Sequence, residues 1–456
     1  MNDTDECNDE NVKKTLVGVI ENNEKSLKDQ DPVDDKERPQ EEDHDCDQED
    51  LELSTQGGDG RIPSPAEIKL KIKKSLLEFR CKVEDAILGN YLLGEEPHEK
   101  LTSLKREQLR DITLWGVPLL PSKAHEGTDI VLRKFLKAKD FKVNDAFHML
   151  QTTMIWRSEN NIDGIIDEDL GSEFENVGFL NSRDREGRPV CYYVSGVSRD
   201  KVLYKQTFGT QQKRDKFLRW RFQLMERAIK KLCFRDGGVD SIIQIYDLKN
   251  TSMQGMKELN TFTRKALELL QNYYPEIIYK NIVVNAPFWF YTSQVLFSRF
   301  MNQRSKKKFI LARPQKATQA LLKFIAPDHL PAEYGGLKRE NDQDFSPADK
   351  VLELKIKGNT VSRVEFPVNE PGVTVMWDVT VIGWDVSYKE EFIPDDEGSY
   401  NILLQNQNIV GESTRNSFYI NEPGKIVIRV ENGTFKKKKM FYRSKTRTTV
   451  PMFILL

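Results

Sequence analysis

The 456-residue chain is 38% hydrophobic and 31% charged, enough for two or three domains, and with no run of about 18 apolar residues it excludes a membrane-spanning helix. Its net charge of −2 conceals an asymmetry: residues 1–60 hold 21 acids against 6 bases, and the remainder holds 50 against 63, so an acidic arm precedes a basic body. Cys7, Cys46, Cys81, Cys191 and Cys233 are scattered without metal-ligand or redox spacing, and the acidic opening residues are unlike a secretory signal, so a cytoplasmic chain without a metal site is expected.

Residues 1–64 have few large apolar side chains and many like charges, too little to offset the entropy of ordering, and read as a disordered tail. Ile68, Ile72, Leu76, Phe79 and Val83 then recur at helical spacing, with Lys69, Lys71, Lys73, Lys74 and Arg80 on other faces. Such a basic helix suits either an anionic lipid surface or plain solvent. Residues 111–121, with Trp115-Gly-Val-Pro118, read as a break; Thr128 and Asn144 are expected to cap the next two helices. Asp184-Arg-Glu-Gly187 is a turn signal, followed by a strand over 189–195 and a helix over 214–235 with Leu218, Phe222, Met225, Ile229 and Leu232 inside.

The isoleucine-rich run 241–248 predicts a strand covered on both faces. Leu259, Phe262, Ala266, Leu269, Leu270 and Tyr273 trace a helix that Pro275 stops, and strands follow at 280–285 and 309–312. Between these strands Phe288, Trp289, Phe290, Val295, Phe297 and Phe300 supply more apolar surface than a docked helix needs. The segment reads either as a wide core stripe or as a lid over an apolar cavity. From Arg299 to Lys316 there are seven bases and no acid, a setting for a ligand with a greasy body and an anionic head.

Beyond residue 350 the pattern changes to short strands at 351–356, 373–381, 386–392, 400–405, 417–420 and 425–430, with turn signals such as Asn432-Gly433 between them, which predicts a β-sandwich. The final hairpin carries Lys436, Lys437, Lys438, Lys439 and Arg443. The cluster reads as a charged strand edge or as an anionic-membrane patch, where each base contributes about 1 kcal/mol. Without an aromatic stacking platform it is a poor nucleic-acid site.

Six motifs together resemble the CRAL-TRIO lipid-transfer proteins: Val131 to Phe141 (VLRKFLKAKDF), Arg185-Glu-Gly-Arg-Pro-Val190, Asn272-Tyr-Tyr-Pro-Glu276, Asn285-Ala-Pro287, Lys307-Lys-Phe-Ile-Leu311 and Leu330 to Gly336 (LPAEYGG). With its acidic start and β-rich end the chain is similar to the plant patellins, which join this fold to a GOLD domain. The resemblance implies a disordered tail (1–64), a helical region (65–160), an α/β CRAL-TRIO lipid-binding domain (161–340), a linker (341–350) and an all-β GOLD sandwich (351–450). It implies that Glu276 and Lys307 hold a phosphatidylinositol head, with Lys306 or Lys308 as alternatives to Lys307, and that Lys137 and Lys139 contribute from the opening motif, where Asp140 replaces a further base. The two serines that bind phosphatidylcholine in yeast members fall on Ile242 and Leu270, which disfavours that lipid and leaves room for a phosphoinositide or an apolar ligand such as an isoprenoid. Phe288, Trp289, Phe290, Val295, Phe297 and Phe300 would form the gate.

No nucleophile elbow, phosphate-cradling glycine loop or zinc-protease motif is present, and the five histidines are dispersed, so no enzyme and no cofactor beyond a bound phospholipid is expected. The expected function is lipid transfer or presentation at membranes in vesicle trafficking and cell-plate formation, by a monomeric peripheral membrane protein that meets trafficking proteins through its GOLD domain. The alternative is a membrane-recruited scaffold without net transfer.

Overall fold

The computed structural model describes residues 64–94, 110–196, 200–251, 265–291, 306–383, 386–409 and 413–448. The acidic tail, Leu259, Phe262, Val295, Phe297 and Phe300 lie outside the described residues.

Helix α1 (Pro65–Leu88) starts where Ser64 and Glu67 form a reciprocal capping box with proline at the first helical position. It buries Phe79, Val83 and Ile87 against the helices α2 (Glu126–Ala138) and α3 (Val143–Glu159). The caps differ from expectation. His125 rather than Thr128 caps α2 through Nδ1, and Thr128 instead donates to the Pro118 carbonyl. Lys142 rather than Asn144 precedes α3, and Asn144 accepts from Lys82. The break before α2 is a hairpin of β1 (Thr113–Leu114) and β2 (Val117–Pro118), whose turn residues Trp115 and Gly116 both take positive φ.

The central sheet has the order β3-β4-β5-β6-β7. Strand β3 (Gly178–Arg183) runs antiparallel to β4 (Pro189–Val194), while β5 (Ile242–Asp247), β6 (Ile278–Val284) and β7 (Phe309–Leu311) continue parallel. A short helix α4 (Lys201–Phe208) leads into α5 (Gln211–Ile229), which ends six residues before the predicted limit. One sheet face, with Cys191, Tyr193 and Ile242, shares a core with α1, α2, α3 and α5. The other, with Val190, Tyr192, Ile243, Ile245, Ile282 and Val284, is covered by α6 (Ala317–Leu321) and the segment through Leu337.

The C-terminal region is a sandwich of two antiparallel four-stranded sheets. One has the order β13-β10-β15-β8 and the other β12-β11-β14-β9, where β8 is Leu352–Ile356, β9 Thr360–Val368, β10 Val373–Ile382, β11 Val386–Pro394, β12 Ile402–Ile409, β13 Ser413–Ile420, β14 Gly424–Asn432 and β15 Lys438–Thr448. Trp377 is fully buried between them and donates Nε1–H to Glu390 at 2.7 Å. The outer face of the first sheet is not solvent-facing throughout: Phe441 joins the core beneath the α/β sheet, and Thr380 donates to the Gly335 carbonyl at 2.7 Å. The stretch expected as a linker is folded into this junction, with Phe345 buried under the guanidinium groups of Arg415 and Arg443.

Candidate lipid-headgroup site

The Asn272-Tyr-Tyr-Pro-Glu276 motif is positioned from both tyrosines. Tyr273 stacks on Trp156 of α3 at 4.2 Å with the rings nearly parallel. Tyr274 donates its hydroxyl to Glu226 at 2.7 Å, and Glu226 is paired with Arg157 at 2.6 Å. Helices α3 and α5 thereby fix the turn in which Glu276 adopts φ +53°, a conformation that a non-glycine residue holds only where its surroundings impose it.

Glu276 is the centre of a small polar cluster at the start of β6. Its carboxylate accepts from Lys308 Nζ at 2.7 Å, and its carbonyl accepts from Lys134 Nζ at 3.0 Å. Lys134 is almost fully buried and pairs with Asp240 at 2.8 Å. Burial pushes its pKa down, opposed by Asp240 and Glu276 and reinforced by the neighbouring Lys137. Lys134 was not among the expected residues, although a lysine between Leu132 and Phe135 on the buried side of α2 was a signal for it.

The structure therefore brings Glu276 together with a lysine of the Lys306–Lys308 run, while Lys137 stands three residues along α2 from Lys134. Within that run, Lys308 pairs with the Glu276 carboxylate. Strand register explains this: the Lys308 carbonyl accepts from Asn281 N–H, and Phe309 opposes Asn281, which sets Lys308 beside the start of β6. Lys307 is exposed, and its carbonyl accepts from Lys280 Nζ. Lys139 is exposed at the C-cap of α2 and is not among the groups acting on Lys134.

Of the expected cavity residues, Ile242 and Leu270 are fully buried in the core shared with the helices. Phe288 is 64% exposed. Phe290 and Tyr291 pack on Leu248, Val283 and Ala286 at the far ends of the parallel strands, with Trp289 edge-on to Phe290.

The basic patch divides. Lys436 and Lys437 are exposed at the β14–β15 turn beside Phe435, which is 90% exposed. Lys439 is exposed and pairs with Glu353 at 2.9 Å. Lys438 and Arg443 do not belong to a membrane surface, because both are buried. Arg443 lies opposite Asp378 in the ladder, bonds it at 2.8 Å and donates to the Leu337 carbonyl at 2.8 Å, so its charge is spent inside the junction.

No helix among the described residues is long and apolar enough to cross a membrane. Comparison with known proteins matches residues 76–152 to the CRAL/TRIO N-terminal domain, 173–336 to the CRAL/TRIO domain and 357–438 to the Patellin-1-like C-terminal GOLD domain. The chain is 47% identical to Patellin-4 of Arabidopsis thaliana over 342 residues, covering 74% of this chain and 62% of that protein, so it spans less than two thirds of that relative. It is 40% identical to Patellin-3 of the same plant over 378 residues, 81% of this chain and 74% of that protein. It is 32% identical to the SEC14 cytosolic factor of Eremothecium gossypii over 234 residues, half of this chain and 73% of that protein. With the helical layer, the α/β sheet and the GOLD sandwich matched in this order, the chain belongs to the patellin family.

Proposed function

We propose that this patellin binds a phosphoinositide in its CRAL-TRIO domain and presents or transfers it at membranes during vesicle trafficking, including cell-plate formation, as a monomeric, non-enzymatic peripheral protein of the cytoplasm. The supporting observation is the Lys308–Glu276 pair with Lys134 bonded to the Glu276 carbonyl. Cations balanced by a carboxylate suit a head that is both phosphorylated and hydroxylated: lysines meet the phosphate and the carboxylate accepts from inositol hydroxyls. The acyl chains would enter beside the aromatic segment that begins at Phe288, each buried methylene contributing about 0.8 kcal/mol.

Uptake of phosphatidylinositol from vesicles, followed by native mass spectrometry, tests this reading. Wild type should take up one lipid per chain, Lys308→Glu should lose at least tenfold in occupancy, and Lys307→Glu should lose less. Equal uptake by Lys308→Glu and wild type would sink the headgroup assignment.

The scaffold reading draws on the exposed Phe435, Lys436 and Lys437 at one hairpin tip. An aromatic ring flanked by lysines suits an anionic bilayer, through which the GOLD domain would bring trafficking proteins to a membrane. Silent cavity variants combined with loss of vesicle binding on changing this tip would favour it.

A further inference from the structure

The sheet face turned toward α5 carries a second polar cluster, far from Glu276. Strand register sets Cys191, Gln244 and Asn281 side by side, and Tyr193, Tyr246 and Val283 two residues further along. Over this face α5 places Arg221, which is 3% exposed. Its guanidinium lies 3.8 Å from the ring centroid of Tyr193 and 5.9 Å from that of Tyr246, and Nη2 is 3.4 Å from the Tyr246 hydroxyl. Tyr246 donates its own proton to Gln244 Oε1 at 2.9 Å.

What the cluster lacks, among the described residues, is a negative charge. The buried cations Lys134, Arg157 and Arg443 each meet a carboxylate. Among the described residues none pairs with Arg221, its Nε has no partner, and neither has Oδ1 of Asn281 on the same face. Burial raises the pKa of Cys191, Tyr193 and Tyr246, which keeps all three neutral, so none of these three supplies a counter-charge. Ring faces offset part of the desolvation of a guanidinium, but a buried cation without a counter-ion is a costly arrangement for a fold to keep.

We propose that Arg221, framed by Tyr193, Tyr246 and Gln244, receives the anionic oxygen acid, a carboxylate or a phosphate, at the polar end of an apolar ligand bound on this sheet face. The edge formed by Nε and Nη2 offers two donors with the spacing of a carboxylate or phosphate, and the long contact from Nη2 to Tyr246 is easily exchanged for one to the ligand. The proposal rests on the lipid-carrier reading but uses a different place. Tyr246 lies about six strand residues beyond the level of Glu276, on the order of 20 Å along the sheet, so one headgroup does not occupy both.

The test uses the delipidated full chain with three probes that share one acyl chain: oleate, oleoyl lysophosphatidate and oleyl alcohol. Wild type should hold one or both anions at least tenfold more tightly than the alcohol, and the stronger anion identifies carboxylate or phosphate. Arg221→Met should lose that discrimination, with affinity for the alcohol unchanged and a melting temperature equal to or above wild type; Arg221→Lys should retain part of it. Should the methionine variant not fold, Arg221→Gln carries the same comparison. No discrimination by wild type, or discrimination that survives in the neutral variant, overturns the proposal. A lowered melting temperature with equal weakening of all three probes would instead make Arg221 a prop for Tyr193. Lys308→Glu separates the two sites: it should lose phosphatidylinositol uptake and keep the preference for the anionic probe.

Discussion

The Glu276 cluster depends on one lysine that is not free to act as an ordinary surface cation. Lys134 spends its ammonium on the Asp240 carboxylate and the Glu276 carbonyl, and so ties α2 to the starts of β5 and β6. Lys134→Met keeps the length of the side chain but leaves that carbonyl without its donor, and should lower stability by about 2 kcal/mol in urea unfolding; no change would mean the carbonyl finds water. At this scale the sequence was partly legible. Glu276 stood in a motif, and its lysine partner was narrowed to three adjacent positions. The choice among them rests on the register of β7 against β6, which a run of like residues does not encode. Arg221 was hidden for a related reason: it occupies an inner position of α5 between Leu218 and Phe222, where a charged residue in an amphipathic pattern reads as facing solvent.

Elements were more legible than single contacts, because periodicity survives where partner choice does not. The four parallel strands follow their apolar patterns closely, and α5 does so up to Ile229. Strand β9 does not announce itself: it is an edge strand whose apolar alternation holds only from Val364 to Val368 and contains Pro367, and a proline counts against a strand unless the edge is known. The basic patch failed for the opposite reason. Four consecutive lysines read as one surface, but the strand that starts at Lys438 sends successive side chains to opposite faces, so Lys438 turns inward between exposed Lys437 and Lys439. The exposed tip is then Phe435 to Lys437 and not the whole run. Phe435→Asp combined with Lys436→Glu and Lys437→Glu should abolish most sedimentation with anionic vesicles without shifting the melting temperature, whereas Lys438→Glu should destabilise the sandwich. Equal vesicle binding by the triple variant and wild type would exclude the tip as the contact. At the other end, Ser64→Ala removes the cap of α1 and should cost about 1 kcal/mol of stability, seen as earlier loss of helical circular dichroism on heating.

At the scale of the whole molecule, the α/β domain and the GOLD sandwich form one body through an ionic knot. Asp378, fully buried, lies between Arg415 and Arg443 as cross-strand neighbours and also accepts from Arg339. Asp342 joins through a two-fold pairing with Arg415, and that guanidinium holds its carboxyl well below the usual carboxylate range, aided by the Phe345 and Asp344 amides. A carboxyl whose pKa is depressed by folding contributes stability that is present above its unfolded pKa and is lost as pH falls below it. The junction should therefore hold at neutral pH and loosen through the acid range. Calorimetry should show a single transition near pH 7 and two as the pH is lowered below about 4, with Asp342→Asn separating the transitions already at neutral pH and weakening their dependence on acid. Arg443→Met should act in the same direction by about 2 kcal/mol, less than for an isolated buried pair because Arg415 and Arg339 still compensate Asp378. If acid and both substitutions leave one transition, Phe441 and the apolar contacts under the sheet suffice to join the domains. If the transitions separate, the α/β domain and the hairpin tip are kept in fixed relation by charge, and acid loosens that relation.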